Sequence, residues 1–350
     1  MNDTIAATAL PSDDQAYLEQ RIFIVSPFGT WTTALTFYVL GAASFAVAAA
    51  ASGLAILPLD NFLLDPLTRV AAVLLLIFCL SLGMQRMTRL AEKRDFNAFA
   101  RVLKGGAEQA KILTNLSPRG ARLLPATLIG VIAGIALGFA FFAANPRTAP
   151  ATNPVLFAWF SAMMVLLALL FARGVALTRM SAAMTRDIVQ NHLVVDLLRT
   201  DALYVWGRAA ARTALIWFSV SAAACLLFVS GEITMFTIFI LVACAAMGLW
   251  VFVAMMNQIH HKIHAAKAVE LERVRGEIAE LRDGLHRDAH AGAKLQGLLA
   301  YEARIAQAPE WPFDQTTLVR VGASTLILAV PWFGQAIAQY FVDHIAAVAG

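Results

Sequence analysis

His260, His261 and His264 stand within five residues of one another, and His286 and His290 follow further along the chain. The pairs 260/264 and 286/290 have the i, i+4 spacing that sets two imidazoles on one face of a helix, as a metal requires. Two ligands leave a zinc site incomplete, and no Glu follows His260, so the H-E-x-x-H arrangement of helical metalloproteases is absent. Imidazoles resting in solvent or at headgroup level are the plainer reading. His260 and His264 are the metal candidates, without a third ligand in view, and no cofactor is expected.

A second polar constellation runs along the last apolar segment. Ser324, Gln335, Gln339 and Asp343 are separated by eleven, four and four residues, steps that keep them near one helical face. Facing lipid, these groups would lack hydrogen-bond partners, so the stripe must look inward or toward another chain. It serves either hydrogen bonding between helices or a water-lined path, with Pro331 and Gly334 as a kink that gates it. These four residues are the pore-lining candidates.

Gly130, Gly134 and Gly138 form an uninterrupted G-x-x-x-G-x-x-x-G. Missing side chains let a second helix approach closely, within the chain or at a subunit interface. Other chemistries find no foothold. There is no glycine-rich phosphate loop, G-x-S-x-G elbow or Cys–His nucleophile pair. Cys79, Cys225 and Cys244 each fall inside an apolar run and read as small hydrophobes rather than disulfide partners. No Asp, Glu, Lys or Arg stands near the middle of a span, which speaks against a proton-coupled pump. An enzyme is not expected.

The elements that carry these residues follow from composition. Of 350 residues, 59% are hydrophobic and 14% charged, against about 25% charged in a soluble domain. Apolar runs of about 20 residues recur, the length needed to cross a bilayer. Seven spans are predicted: Trp31–Leu57, Val70–Met87, Leu123–Ala144, Pro154–Leu177, Thr213–Ser230, Ile233–Met256 and Leu318–Val342. The fold class is therefore all-α, a multi-pass transmembrane bundle with a helical cytoplasmic layer.

Orientation follows from the basic residues. Of the 27 Lys and Arg, 24 lie in the segments after spans two, four and six, counted from the span ends; Arg69 and Arg147 lie on the other side, and Arg21 precedes the first span. The positive-inside rule then puts the N-terminus in the cytoplasm and the C-terminus outside, in a bacterial-type inner membrane. The chain divides into a cytoplasmic segment 1–30, hairpins 31–87, 123–177 and 213–256, cytoplasmic helices 88–122 and 178–212, a cytoplasmic extension 257–317, and a seventh span with external C-terminus, 318–350.

Two patterns describe the cytoplasmic layer. No Gly or Pro occurs from Leu249 to Arg275, so the sixth helix should run from the bilayer straight into the cytoplasm. Leu271, Val274, Ile278, Leu281 and Leu285 then form a short heptad seam, Gly292 marks a break, and a helix over Lys294–Gln307 returns toward the membrane. An offset of 90 residues aligns Thr88 with Thr178, Arg89 with Arg179, Leu103 with Leu193, Leu113 with Leu203 and Arg122 with Arg212, which suggests duplication of a span–helix–span unit.

The topology alone, with seven spans, an inside N-terminus, an elongated sixth helix and a polar seventh, is similar to that of the insect chemoreceptor channels. Their signature residues are not evident, so the likeness is one of fold. An oligomeric channel or pore lined by the polar seventh helix is the first function expected, from that helix and the charge-free spans. A membrane scaffold or signalling component acting through the cytoplasmic helices is the alternative, and a membrane enzyme using the histidines is the remotest. Membrane lipids and further copies of the chain are the expected partners. Nucleic acid is not, because the nine basic residues of Arg86–Arg122 are dispersed without a recognition module.

Overall fold

The computed structural model describes residues 21–319, apart from 22, 24, 55–64, 107, 109–119, 145, 149, 228–234, 285–290 and 313–318. Among the described residues there are seven α-helices and no strand: α1 Thr30–Ala51, α2 Pro66–Arg101, α3 Leu124–Ala144, α4 Pro154–Asn191, α5 Tyr204–Cys225, α6 Met235–Gly284 and α7 Ala291–Ala306.

Local sequence explains where these helices start and stop. The Asp65 carboxylate accepts hydrogen bonds from the amides of Leu67 and Thr68 at 3.0 and 3.3 Å, and Pro66 occupies the first turn of α2, where no partner for its nitrogen is needed. Pro154 opens α4 in the same way. α1 ends as the chain turns through Gly53, whose φ of 76° suits glycine.

Five helices are long and apolar enough to cross a membrane: α1, α2, α3, α4 and α6. The protein is thus all-helical with several candidate membrane-crossing helices. α3 illustrates the solvent it requires, because Ile129, Ile132 and Phe139 are each more than 60% exposed. An apolar face of that extent is stable only against lipid or another protein. α5 is not among the five, since Arg208 and Arg212 lie in its first three turns and shorten the apolar stretch. Ser324, Pro331, Gly334, Gln335, Gln339 and Asp343, in and next to the predicted seventh span, lie outside the described residues.

The helices following spans two and four are not separate elements. α2 and α4 continue unbroken past the predicted span ends at Met87 and Leu177 to Arg101 and Asn191. At 1.5 Å per residue they are about 54 and 57 Å long, well beyond a hydrocarbon core of about 30 Å. α6 is longer still, with 50 residues or about 75 Å. α7 lies antiparallel on its far end: Arg275 Nε donates to Glu302 at 2.7 Å, and the Tyr301 hydroxyl donates to Glu270 at 2.9 Å.

Where α2 and α4 end, their chains pair. Leu103 and Leu193 form an antiparallel bridge in which the Lys104 amide donates to the His192 carbonyl at 2.8 Å and the Val194 amide to the Val102 carbonyl at 2.9 Å. Exchanging each residue with the one 90 positions away maps one bond onto the other, so the bridge has local two-fold symmetry. α3 packs against α4 and α5 packs against α2, as the same exchange requires. The offset then changes. The short 3-10 turns Gly120–Leu123 and Thr200–Leu203 precede α3 and α5 at a spacing of 80, and Leu123 and Leu203 are both fully buried there. The pairings of Leu113 with Leu203 and Arg122 with Arg212 are therefore coincidences of sequence, because the second connection is ten residues shorter.

A core forms on this side of the molecule. Phe96, Leu103, Leu193, Leu203, Trp206, Met256 and Ile259 are buried in one cluster drawn from α2, α4, α5 and α6 and the bridge between them. Deeper along the bundle, Phe45, Leu74, Leu156 and Phe160 form a second cluster from α1, α2 and α4.

Candidate functional site

The glycine row of α3 meets the backbone of α4. A methyl group added at Gly130 would lie 2.6 Å from the Cα of Leu169 and 3.0 Å from the Ala168 carbonyl, and one at Gly134 would overlap the Cα of Val165. At Gly138 the nearest atoms are an ordinary 3.7 Å away. The partner of the row is thus within the chain, and two of its three glycines carry the tight approach.

Beside this contact lies a buried charge. Arg173 sits midway along α4, is 9% exposed, and donates to the Thr127 hydroxyl of α3 at 2.9 Å. That hydroxyl in turn donates to the Leu123 carbonyl at 2.8 Å. In sequence Arg173 appears four residues short of a span end, where an arginine would reach water. The continuation of α4 to Asn191 and the packing of α3 enclose it instead. A guanidinium stays charged in such a place, so it must be held by acceptors.

The histidines occupy the outer face of α6. The His260 ring stacks on Trp311, with centroids 4.2 Å apart and planes 10° from parallel, and its Nδ1 lies 3.1 Å from the Glu310 carbonyl. The His260 and His264 rings are 6.2 Å apart. Among the described residues no group of three or more His, Cys, Asp or Glu is gathered where it could hold a metal. His286 and His290 lie outside the described residues. His260 therefore fastens the segment after α7 to α6. The Lys267 ammonium adds to this by donating to the Ala308 carbonyl at 3.2 Å and the Glu310 carboxylate at 3.0 Å.

This fastening should respond to acid. The hydrogen bond from Lys267 holds the Glu310 carboxyl below the usual carboxylate range, with Lys267, His264 and His260 adding charge attraction. A carboxyl whose pKa is lowered on folding stabilises the folded form above its unfolded value, about 4.3, and loses that contribution as pH falls through the folded value. The Trp311 share of the fluorescence, taken as the difference from Trp311→Phe, should include a change below about pH 4. Glu310→Gln should remove that acid transition; an identical transition in the variant would show that Glu310 does not govern it.

A cavity of about 1220 Å³ opens between α2, α3, α4, α5 and α6. Its deep lining is apolar, with Leu74 and Ile77 from α2, Leu137 from α3, Met164 from α4, Val220 from α5 and Cys244 from α6. Its other end is basic, with Arg86 and Arg89 from α2, Arg122 before α3, Arg179 from α4 and Arg212 from α5. Two carboxylates share this end and both are engaged. Asp95 is 2.8 Å from Arg212 and 3.8 Å from Arg208, and Glu92 is 3.3 Å from Arg89. Among the described residues no carboxylate pairs with Arg86, Arg122 or Arg179. Trp206, also in the lining, is buried and its indole N–H has no acceptor among the described residues. A buried donor left so costs about 1–3 kcal/mol.

Sequence reading did not find this cleft. Its signal was the clustering of arginines at one end of several apolar runs, which the positive-inside rule explains without any site. Cys79, Cys225 and Cys244 are buried thiols. Compared with known proteins, the chain matches no family model, no curated protein and no solved structure.

Proposed function

We propose that this protein is an integral membrane component of a bacterial-type inner membrane. Its basic side lies in the cytoplasm, and it acts as a scaffold or signalling element through the helical layer there. The observation that carries this reading is α6, one unbroken 50-residue helix that joins the bundle to the layer and is locked to α7 by the Arg275–Glu302 and Tyr301–Glu270 bonds. About 45 Å of it extends past a hydrocarbon core of about 30 Å, a rigid lever rather than a linker. Val269 on α6 and Leu299 on α7 are 68% and 48% exposed. These two exposed apolar side chains are the contact points proposed for the layer, and a second copy of the chain is the partner proposed for them.

A photo-crosslinking residue at Val269 or Leu299, activated in intact membranes, should yield a species of twice the monomer mass. Its absence at both positions would remove the surface from the account.

A channel is the second reading, favoured by the spacing of Ser324, Gln335, Gln339 and Asp343 around the Pro331–Gly334 kink. With Cys79, Cys225 and Cys244 changed to serine, cysteines at Gln335 and Gln339 should react with a small hydrophilic thiol reagent faster than those at Ile337 and Phe341, each turned away by roughly 200°. Equal unreactivity at all four positions would exclude the wet path.

A further inference from the structure

We propose that the basic-mouthed cleft between α2, α3, α4, α5 and α6 is a binding site for an anionic phospholipid, with its acyl chains along the apolar lining and its phosphate among Arg86, Arg122 and Arg179. Three independent features meet there. The first is depth. From Met164 to Arg179 on α4, and from Leu137 to Arg122 before α3, the lining runs 15 residues, or about 22 Å, from apolar floor to arginine. One leaflet of hydrocarbon is about 15 Å thick, so chains that fill the floor leave the headgroup level with the arginines.

The second feature is charge. Asp95 and Glu92 are paired with Arg212, Arg208 and Arg89, so Arg86, Arg122 and Arg179 line that end without a carboxylate partner among the described residues. Guanidinium groups bind phosphate oxygens through paired, charge-assisted hydrogen bonds. The third is the Trp206 indole N–H, buried in the lining without an acceptor, which an ester or phosphate oxygen would satisfy. A soluble anion would leave the apolar floor empty, and a neutral lipid would leave the arginines unpaired. A cavity of about 1220 Å³ also exceeds the roughly 300–1,000 Å³ of drug-sized pockets.

The site stands apart from the scaffold reading, since it needs neither self-association nor the outer face of α6. The test uses the full-length chain, purified and stripped of lipid in a neutral detergent. A short-chain phosphatidylglycerol with brominated acyl chains should quench tryptophan fluorescence in a saturable way, and the matching phosphatidylcholine should do so at least about tenfold more weakly. Arg122 and Arg179 are exposed, so Arg122→Gln with Arg179→Gln keeps the fold while lowering phosphatidylglycerol affinity about tenfold or more and leaving phosphatidylcholine unchanged. Ala133→Trp, in the apolar lining, should abolish saturable quenching by either lipid.

Several outcomes would overturn the proposal. Inorganic phosphate that displaces the lipid at equal concentration would make this a phosphate site. Equal quenching by both lipids would remove the role of the arginines. No saturable quenching by either lipid would mean the cleft is closed to lipid, as it would be if residues 318–342 of the chain filled it.

Discussion

Gly134→Leu is expected to abolish recovery of folded protein, whereas Ile132→Ala, two residues away on the same helix, should leave it unchanged. Ile132 is 68% exposed on the face of α3 that turns from α4. A side chain at Gly134 would meet the Val165 Cα and stand 3.0 Å from the Met164 carbonyl and the Val165 nitrogen, all backbone atoms of α4. Where only side chains must give way, overpacking costs about 1–3 kcal/mol. Here a helix axis must move, and contacts along several turns of α3 and α4 are lost with it. The Arg173–Thr127 bond, which spans the same two helices, would be lost too. Size-exclusion behaviour and yield after extraction measure the effect. A Gly134→Leu protein with normal yield and a single sharp peak would mean that α3 does not pack on α4 in this register.

The second large effect concerns Arg173. Thr127→Val keeps the shape of the side chain and removes the hydroxyl that accepts from the guanidinium at 2.9 Å. Hydrogen bonds to charged groups contribute about 1.5–3 kcal/mol, and the loss should appear as a lower unfolding midpoint in detergent. Arg173→Met in the same protein should recover part of that loss, because a buried charge deprived of an acceptor costs more than an apolar side chain of similar length. The two changes are thus expected to be non-additive, as contacting partners are. Additive losses would show that Arg173 and Thr127 act independently.

Much of the architecture was legible in the sequence because it is written in local patterns. The lack of Gly and Pro from Leu249 to Arg275 is matched by the continuity of α6, and the helix expected over Lys294–Gln307 is present as α7, which begins earlier and takes in Gly292 as its second residue instead of breaking there. Pro66 and Pro154 open helices where prolines belong. The 90-residue offset aligned Leu103 with Leu193, which the structure pairs in the bridge, although its later matches fail once the second connection shortens. The length of α2 and α4 was less legible. Amphipathic residues after a span resemble a separate surface helix, and only packing decides that the helix does not break.

The sites were harder to read for the same physical reason. The cleft draws its lining from five helices, and no spacing along the chain brings Ile77, Met164 and Cys244 together. Arg173 looked like an interfacial arginine because its depth depends on α3, a different segment. His260 had the spacing of a metal ligand, yet the partner it meets, Trp311, lies 51 residues away along the chain.

The central claim is that α2, α4 and α6 deliver their basic ends to one side of a membrane. Single cysteines at Lys104, Arg199 and Gly276, and at Ala51 and Ala151, in a background where Cys79, Cys225 and Cys244 are serine, test it directly. An impermeant maleimide added to intact cells should label Ala51→Cys and Ala151→Cys at once, and the other three only after the membrane is opened. Labelling of Lys104→Cys, Arg199→Cys or Gly276→Cys in intact cells, or the same labelling of all five before and after opening, would contradict the account.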